Sequence, residues 1–242
     1  MNPFIATAAA PFSCAAAVAT AVSAQGPQFT FTTGCAAALQ ALGQAARLIA
    51  LGEADVCIAG GVECPLSPLV IAGMGRTGEL AGDAFPPARA SRPFDRAHGG
   101  MVLTEGAALF VLESATHAAA RGVPARAIVV GTAGSCDARG LHRVDEAGAA
   151  AAHALRGLLA RNATPPDTLD WVCAHANGAP AFDRKEAAVL RSALGAAVET
   201  VPVSSIKGVL GHPLGAAGAF QTAAVIGAMR HGAIPQTVNL ED

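Results

Sequence analysis

Tyrosine is absent from this 242-residue chain, tryptophan occurs once, and aromatic residues make up only 4% of the sequence. Charged residues account for 14%, against about 25% in a typical soluble domain. With a formal net charge of −2, the chain lacks the basic footprint of a DNA- or RNA-binding protein. Its hydrophobic fraction of 52% excludes a charge-driven disordered chain and supports a globular core that folds without staples.

Sequence signals for disulfides, metals and export are also missing. No two histidines have HxxxH spacing, so no zinc site is predicted. No Lys or Arg precedes Arg47, and residues 5–24 are rich in Ala, Ser and Thr and interrupted by Pro11, so neither a signal peptide nor a membrane span is predicted. The cysteines form no CxxC pair or disulfide framework, which favours the reducing cytoplasm: Cys14, Cys35, Cys57, Cys64, Cys136 and Cys173.

Strand and helix patterns alternate along the chain, which predicts an α/β protein with sheets covered by helices. Strands are predicted at residues 29–33, 56–59, 107–112, 127–132, 171–174 and 201–203. Helices are predicted at residues 13–24, 36–51, 115–121, 146–161, 183–194 and 215–230, the second of them buried on most faces. Residues 63–100 form a long segment rich in Pro and Gly, with one short helix near 69–73. No linker divides the chain, so 1–242 is one domain with halves at about 1–113 and 114–242.

Cys35 has the setting of a nucleophile. It follows Thr32, Thr33 and Gly34 at the end of a predicted strand and precedes a predicted helix. The unpaired N–H groups and partial positive charge of a helix N-terminus favour the thiolate and lower the pKa of a cysteine. Two interpretations remain open: a reactive nucleophile, or a buried structural cysteine, which is the commoner role for an isolated residue.

Two histidines and a lysine stand in comparable loops. His175 ends a predicted buried strand, where a side chain faces a cleft in many α/β sheets; a capping or core-edge histidine is the alternative. Lys207 and His212 lie in a Gly-flanked loop before an apolar helix, and a surface position is the alternative for Lys207. Glu186, on the helix after the His175 loop, is predicted to pair with Lys207. The remaining histidines are expected to be solvated or to cap helices: His98, His117, His142, His153 and His231.

Three motifs, taken in order, resemble the β-ketoacyl synthases. Residues 32–37 (TTGCAA) and 52–61 (GEADVCIAGG) resemble the nucleophile segment of that family. Residues 92–96 (RPFDR) and 103–107 (LTEGA) resemble its RPFD and GEGA stretch. Residues 204–218 (SSIKGVLGHPLGAAG) are similar to its SIKxxLGHxxGAAG motif, which is highly specific. The likeness covers nearly the whole chain.

The resemblance implies a thiolase-like layered αβαβα fold with two five-stranded sheets, and a Cys-His-His site. Cys35 would take an acyl chain from acyl carrier protein as a thioester. His175 and His212 would support decarboxylation of malonyl-acyl carrier protein and stabilise the enolate. The carbanion would then attack the thioester, giving a β-ketoacyl product and carbon dioxide. Lys207 matches the family's lysine, and Glu186 matches the acid that pairs with it.

Two departures from the family are visible. The motif after the first histidine is usually HGTGT, whereas residues 175–179 read HANGA. Two threonine hydroxyls are therefore missing, and Asn177 is a polar substitute that bears on rate or substrate choice. Family members also extend beyond the regions that match both ends of this chain. The chain is expected to be incomplete, lacking part of the first sheet and a Gly-rich loop whose N–H serves the oxyanion hole.

Three functions follow as hypotheses. The leading one is a β-ketoacyl synthase acting in fatty-acid or polyketide biosynthesis. The second is a non-catalytic partner subunit similar to a chain-length factor, or a fragment; the presence of Cys35 argues against it, because such partners typically replace that cysteine. The third is a thiolase-like acyltransferase that uses coenzyme A, which residues 204–218 disfavour.

The resemblance also implies partners. Acyl carrier protein would bring the acyl and malonyl thioesters on its phosphopantetheine arm, so neither a resident cofactor nor a metal is expected. A homodimer, or a heterodimer with another ketosynthase-like subunit, would form through residues 28–33. No nucleic-acid or membrane partner is expected. Acyl chain length is not specified by the sequence.

Overall fold

The computed structural model describes residue 3, residues 5–140 and residues 143–242; the predicted role of His142 lies outside this part. The α-helices are α1 (Ile5–Ala8), α2 (Ser13–Ala21), α3 (Ala37–Ala50), α4 (Pro68–Gly75), α5 (Pro87–Ala90), α6 (Ala115–Ala120), α7 (Ala149–Arg161), α8 (Pro180–Leu194), α9 (Lys207–Leu210) and α10 (Ala217–His231). The strands are β1 (Val56–Glu63), β2 (Gly106–Glu113), β3 (Val172–Cys173) and β4 (Val203–Ser204). The mixture of strands and helices that the sequence predicts is confirmed, and helices separate the four described strands along the chain.

The first sheet is the antiparallel pair β1–β2, in which Ala59 lies opposite Phe110. Side chains alternate between the two faces of a strand. One face therefore turns Ala59 and Phe110 inward, where they pack with Leu42 and Ala45 of α3. Helix α10 contacts the same sheet and α3, so α3 and α10 form the layer beneath it.

The outer face of β1–β2 is not covered, contrary to the prediction of helices on both faces. Within the described residues, its apolar side chains are exposed by 40% to 62%: Val56, Ile58, Val62, Leu109 and Val111. Helix α3 departs from prediction in the same way, since it buries only Ala38, Leu42, Ala45 and Leu48. Both elements present one apolar face to the core and leave the other open.

Two of the predicted strands are not formed. Residues 29–33 and 127–132 have no β-ladder in the described part of the chain. Their sequences suit a strand, and Ile128 is 79% exposed. A strand needs a hydrogen-bonded neighbour as well as propensity, and none lies beside either segment. Each of the two sheets accordingly has two strands here rather than the five that the resemblance implies.

The second sheet is the parallel pair β3–β4. Gln221 of α10 donates from Nε2 to the carbonyls of Cys173 (3.0 Å) and Ala174 (2.8 Å), which ties the helical layer to this sheet. Helices α7 and α8 pack together on the other side of the chain's second half. The order of layers is therefore sheet, helices, sheet, with the ends of β3 and β4 close to the start of α3.

Gly61 allows β1 to approach two neighbouring elements closely. A Cβ atom at Gly61 would lie 2.8 Å from Ala38 Cβ and 2.9 Å from Ala216 Cα. Strand β1, helix α3 and the 3₁₀ turn Leu214–Ala216 thus meet without an intervening side chain. In the described residues, no helix combines the length and apolar character needed to span a bilayer.

Candidate active site

Cys35 lies in a 3₁₀ turn, Gly34–Ala36, that leads into α3. Gly34 has a φ of +59°, a conformation that glycine adopts without steric cost, and it lies where the chain enters the turn. The turn faces the loop that carries His212, and Cys35 Sγ lies 3.0 Å from His212 Nε2. The sequence prediction that Cys35 stands between a strand and a helix holds for the helix alone.

His212 is held by its backbone, between β2 and the turn before α10. Its N–H donates to the carbonyl of Val102 (2.7 Å), and its own carbonyl accepts from Thr104 N–H (3.2 Å). The preceding Gly211 has a φ of +69°, and a Cβ there would come within 2.4 Å of Thr104. The imidazole is fully buried, and among the described residues its Nδ1 has no hydrogen-bond partner.

His175 completes a compact group. It follows β3, and its ring stands edge-on to that of His212, with 5.3 Å between centroids. One side-chain atom each from Cys35, His175 and His212 lies within 4.8 Å of the other two. The fold therefore brings together three residues that are far apart in sequence, as the resemblance implies for a Cys-His-His site.

Lys207 and Glu186 support this group without forming the predicted pair. The buried Lys207 ammonium donates to the carbonyl of His175. Glu186 accepts instead from the backbone N–H of His175 (2.7 Å) and Ala176 (2.5 Å). No ion pair joins the two side chains in the described structure, so the prediction of a direct pair is wrong. Backbone groups that follow β3 bind both side chains, so the charges of Lys207 and Glu186 interact only at longer range.

Burial controls protonation at the site. It raises the pKa of the Cys35 thiol, and the Lys207 charge and a backbone N–H offset this only in part. The expected lowering by the helix N-terminus is therefore outweighed by desolvation. Burial, followed by the charge of Lys207, lowers the pKa of His212 to about 3 and holds the pKa of His175 well below its usual range. The resting group is a neutral thiol beside two neutral imidazoles.

Burial also shifts the pKa values of Lys207 and Glu186. Desolvation lowers the pKa of Lys207, and the nearby Glu186 carboxylate opposes that shift. Desolvation raises the pKa of Glu186, while the N–H groups of His175 and Ala176 act in the opposite direction. Strong perturbation in a shared cluster is typical of a functional site.

Asp183 is a residue whose role the sequence reasoning missed. Its buried carboxylate accepts N–H groups from Phe94 (2.8 Å), Asn177 (2.9 Å) and Gly178 (3.2 Å), and lies 3.0 Å from His98 Nδ1. It thereby joins the RPFD loop to the loop after His175. An acid in the first turn of a helix that follows a Gly-containing loop was the available signal. His98 is accordingly a partner of a buried acid rather than a solvated residue.

Asn177 is buried in the same loop. Its Oδ1 accepts from Ala179 N–H (2.9 Å), and among the described residues its Nδ2 has no partner. Burying an amide donor without a partner is costly. Asn177 therefore offers a spare donor near the histidines, at the position where the family motif has threonine.

Comparison with protein-family models agrees with the three motifs and the layered α/β fold described above. The family model for the β-ketoacyl synthase N-terminal domain matches residues 1–118, and the model for the C-terminal domain matches residues 126–241. The chain belongs to the β-ketoacyl synthase family, and its fold is thiolase-like.

Individual relatives give the same result. The ketoacyl synthase alpha subunit of the tetracenomycin polyketide synthase from Streptomyces glaucescens is 39% identical over 232 residues, 96% of this chain and 54% of the relative. A structure of a type II PKS acyl-carrier protein in complex with its ketosynthase bound to the hexaketide has a TM-score of 0.95 at 29% identity, covering 100% of this chain and 59% of that one. The ishigamide ketosynthase/chain length factor has a TM-score of 0.90 at 30% identity, covering 100% and 58%. The chain spans about half the length of the curated relatives it matches.

Proposed function

We propose that this chain carries the condensing site of a polyketide β-ketoacyl synthase. The observation that supports this most is the 3.0 Å separation of Cys35 Sγ and His212 Nε2, with the His175 ring beside them. A thiol within reach of a neutral imidazole can lose its proton as it attacks. Polyketide rather than fatty-acid synthesis is proposed because the tetracenomycin relative and the hexaketide-bound neighbour are polyketide proteins.

In the first step, Cys35 Sγ attacks the carbonyl of an acyl thioester on acyl carrier protein. The thiol proton passes to the imidazole of His212 and then to the departing carrier thiol, while the S–C bond to Cys35 forms and the carrier C–S bond breaks. Because Cys35 rests as a thiol, the imidazole at 3.0 Å supplies the base that the helix N-terminus alone does not.

In the second step, malonyl-acyl carrier protein loses carbon dioxide. The electron pair of the broken C–C bond becomes an enolate, whose oxygen needs hydrogen-bond donors. Neutral His175 and His212 can donate to it, and their burial strengthens that interaction because the local dielectric is low. The enolate carbon then attacks the carbonyl carbon of the Cys35 thioester, and the new C–C bond forms as the C–S bond to Cys35 breaks. The released Cys35 thiolate takes a proton from water, and the β-ketoacyl chain leaves on the carrier.

Lys207 is proposed as a positioning residue. It donates to the carbonyl of His175 and holds the loop that orients the imidazole. Lys207→Ala should lower decarboxylation roughly 10- to 100-fold, the cost typical of a misplaced catalytic group. Measured carbon dioxide release from malonyl-acyl carrier protein checks this, and unchanged turnover would remove Lys207 from the site.

Asn177 is proposed to supply a hydrogen bond to the malonyl thioester in place of a threonine hydroxyl. Its unpartnered Nδ2 supports this. Asn177→Thr should retain decarboxylation within about tenfold, whereas Asn177→Leu should lose more than that. Equal activity of the two variants would show that no donor is needed at this position.

Comparison of Cys35→Ala with the exposed-thiol control Cys136→Ala tests the proposal. Acyl transfer from acyl carrier protein should fall by roughly 10³-fold or more in Cys35→Ala and stay unchanged in Cys136→Ala. The same assay with acyl-coenzyme A separates a carrier-dependent synthase from a coenzyme A-dependent acyltransferase. If neither acyl transfer to Cys35 nor decarboxylation of malonyl-acyl carrier protein is detected, the proposal is contradicted.

The exposed outer face of β1–β2 and the unpaired segment at residues 28–33 favour association with another ketosynthase-like subunit. They equally suit a non-catalytic partner role similar to that of a chain-length factor. Gel filtration with and without a candidate partner subunit, followed by the decarboxylation assay on each fraction, distinguishes a catalytic subunit from a non-catalytic partner. Activity only in a fraction whose partner carries its own nucleophile would favour the non-catalytic role.

A further inference from the structure

Three potential metal ligands converge at the site. The sequence spacing predicts no metal site, because Cys35, His175 and His212 come from separate segments. The fold nevertheless places one ligand atom of each within 4.8 Å of the others, with 3.0 Å between the thiol sulfur and His212 Nε2. No other cluster of three such ligands is found in the described residues.

These dimensions are close to those of a tetrahedral zinc site. Zinc binds thiolate at about 2.3 Å and imidazole at about 2.0–2.1 Å, so its ligand atoms lie about 3.3–3.6 Å apart. The separation of 3.0 Å between sulfur and nitrogen would widen slightly, and the widest pair would close by no more than about 1.5 Å. Side-chain rotation covers such distances, and three protein ligands leave the fourth position for water.

The donor types point to a soft divalent cation. Thiolate and imidazole suit zinc and cobalt, whereas magnesium prefers oxygen ligands. The buried Lys207 ammonium opposes a second positive charge, and the Glu186 carboxylate on the other side of the His175 loop offsets it in part. The thiolate formed on binding supplies a further negative charge.

We propose that Cys35, His175 and His212 bind Zn²⁺, and that this metal competes with acylation rather than assisting it. On binding, the Cys35 S–H bond breaks, an S–Zn bond forms and the proton leaves to the buffer; no electrons are transferred. The nucleophile and both imidazoles are then occupied, so the thiol becomes unavailable to electrophiles. This proposal does not depend on the condensation reaction.

Alkylation of the unmodified protein by iodoacetamide gives the first test, with Cys35 and the exposed Cys64 quantified in the same sample by mass spectrometry. At a Zn²⁺ concentration about ten times the dissociation constant, about one site in eleven is free, so Cys35 alkylation should slow about tenfold. Alkylation of Cys64 should change little, and Mg²⁺ should protect neither thiol. Equal slowing at both cysteines, or none at Cys35, overturns the proposal.

Cobalt spectroscopy gives the second test. Co²⁺ should produce a thiolate charge-transfer band and the visible bands of a tetrahedral site, at one ion per chain. The charge-transfer band should vanish in Cys35→Ser and persist in Cys136→Ser, and the visible bands should weaken in His212→Gln, with circular dichroism confirming that each variant is folded. An unchanged spectrum in Cys35→Ser, or no band in the unmodified protein, overturns the proposal.

Discussion

The two regions that meet at the site are built differently. The histidine region, residues 172–186 and 203–218, is densely bonded: His212, Lys207, Asn177 and Asp183 are exposed by 2% or less. The cysteine region, residues 27–36 with the outer face of β1–β2, is open, and Phe29 is 50% exposed. The two regions meet at the 3.0 Å contact between Cys35 and His212, and the turn that holds Cys35 packs on the turn Leu214–Ala216.

The difference shows which side chains the fold holds in place, and this bears on the condensation proposed above. In the histidine region, backbone groups and buried acids fix the imidazoles before any substrate arrives, which reduces the reorganisation that the reaction must supply. In the cysteine region, residues 27–33 have no β-ladder in the described structure. Substitutions should therefore lower the free energy of unfolding far more in the histidine region than in the cysteine region.

Asp183→Ala, in the histidine region, should have the largest effect on stability. It leaves three buried N–H donors unpaired, those of Phe94, Asn177 and Gly178, and should lower the free energy of unfolding by about 3–5 kcal/mol. Thermal denaturation should show a loss of roughly 10 °C.

Thr33→Ala is the matched change in the cysteine region. It removes the hydrogen bond from the exposed Thr33 hydroxyl to Gln40 (2.8 Å) and should cost under about 1 kcal/mol. Similar losses in the two variants would show that the regions do not differ in the way described.

The pH dependence of stability should show an intermediate effect. The pKa of His212 falls to about 3 in the folded chain, whereas an unfolded histidine titrates near 6.5. The unfolded state thus binds more protons between these values, and stability falls as pH is lowered through this window. Between pH 7.5 and 5.5, His212 should account for a loss of about 1 kcal/mol in the free energy of unfolding.

Urea denaturation of the unmodified protein and of His212→Gln at both pH values isolates this contribution. His175 acts in the same direction, and the raised pKa of Glu186 acts in the opposite one. Both are common to the two proteins, so the difference between their pH slopes belongs to His212. Parallel slopes would mean that His212 is not desolvated.

Val111→Thr should have the smallest effect. Val111 lies on the uncovered face of β2 and is 62% exposed, so the change should shift the free energy of unfolding by less than about 0.5 kcal/mol. Leu42→Ala, in helix α3 where it packs against the covered face of the same sheet, should cost about 2–5 kcal/mol. A large loss in Val111→Thr would indicate that the outer face is buried in solution, by a second copy of the chain.

Local sequence patterns predict helices and strand-forming segments better than they predict which strands pair. Helix α3 was predicted at 36–51 and spans Ala37–Ala50, because its apolar period and the following Gly52 are local signals. Residues 29–33 and 127–132 have strand composition, yet a strand forms only beside another backbone. Motif order likewise located Cys35, His175 and His212, whereas the bonds of Glu186 and Asp183 to backbone N–H groups depend on how loops cross.

The approach at Gly61 has a consequence for the reaction. Helix α3 begins immediately after the Cys35 turn, and Ala216 lies four residues after His212; both touch Gly61 directly. The distance between Cys35 Sγ and His212 Nε2 is therefore set by the scaffold. It depends on van der Waals contact among three residues that carry no reactive atom: Ala38, Gly61 and Ala216. One added methyl group there would move Cys35 away from His212 while leaving the chemistry of both side chains unchanged.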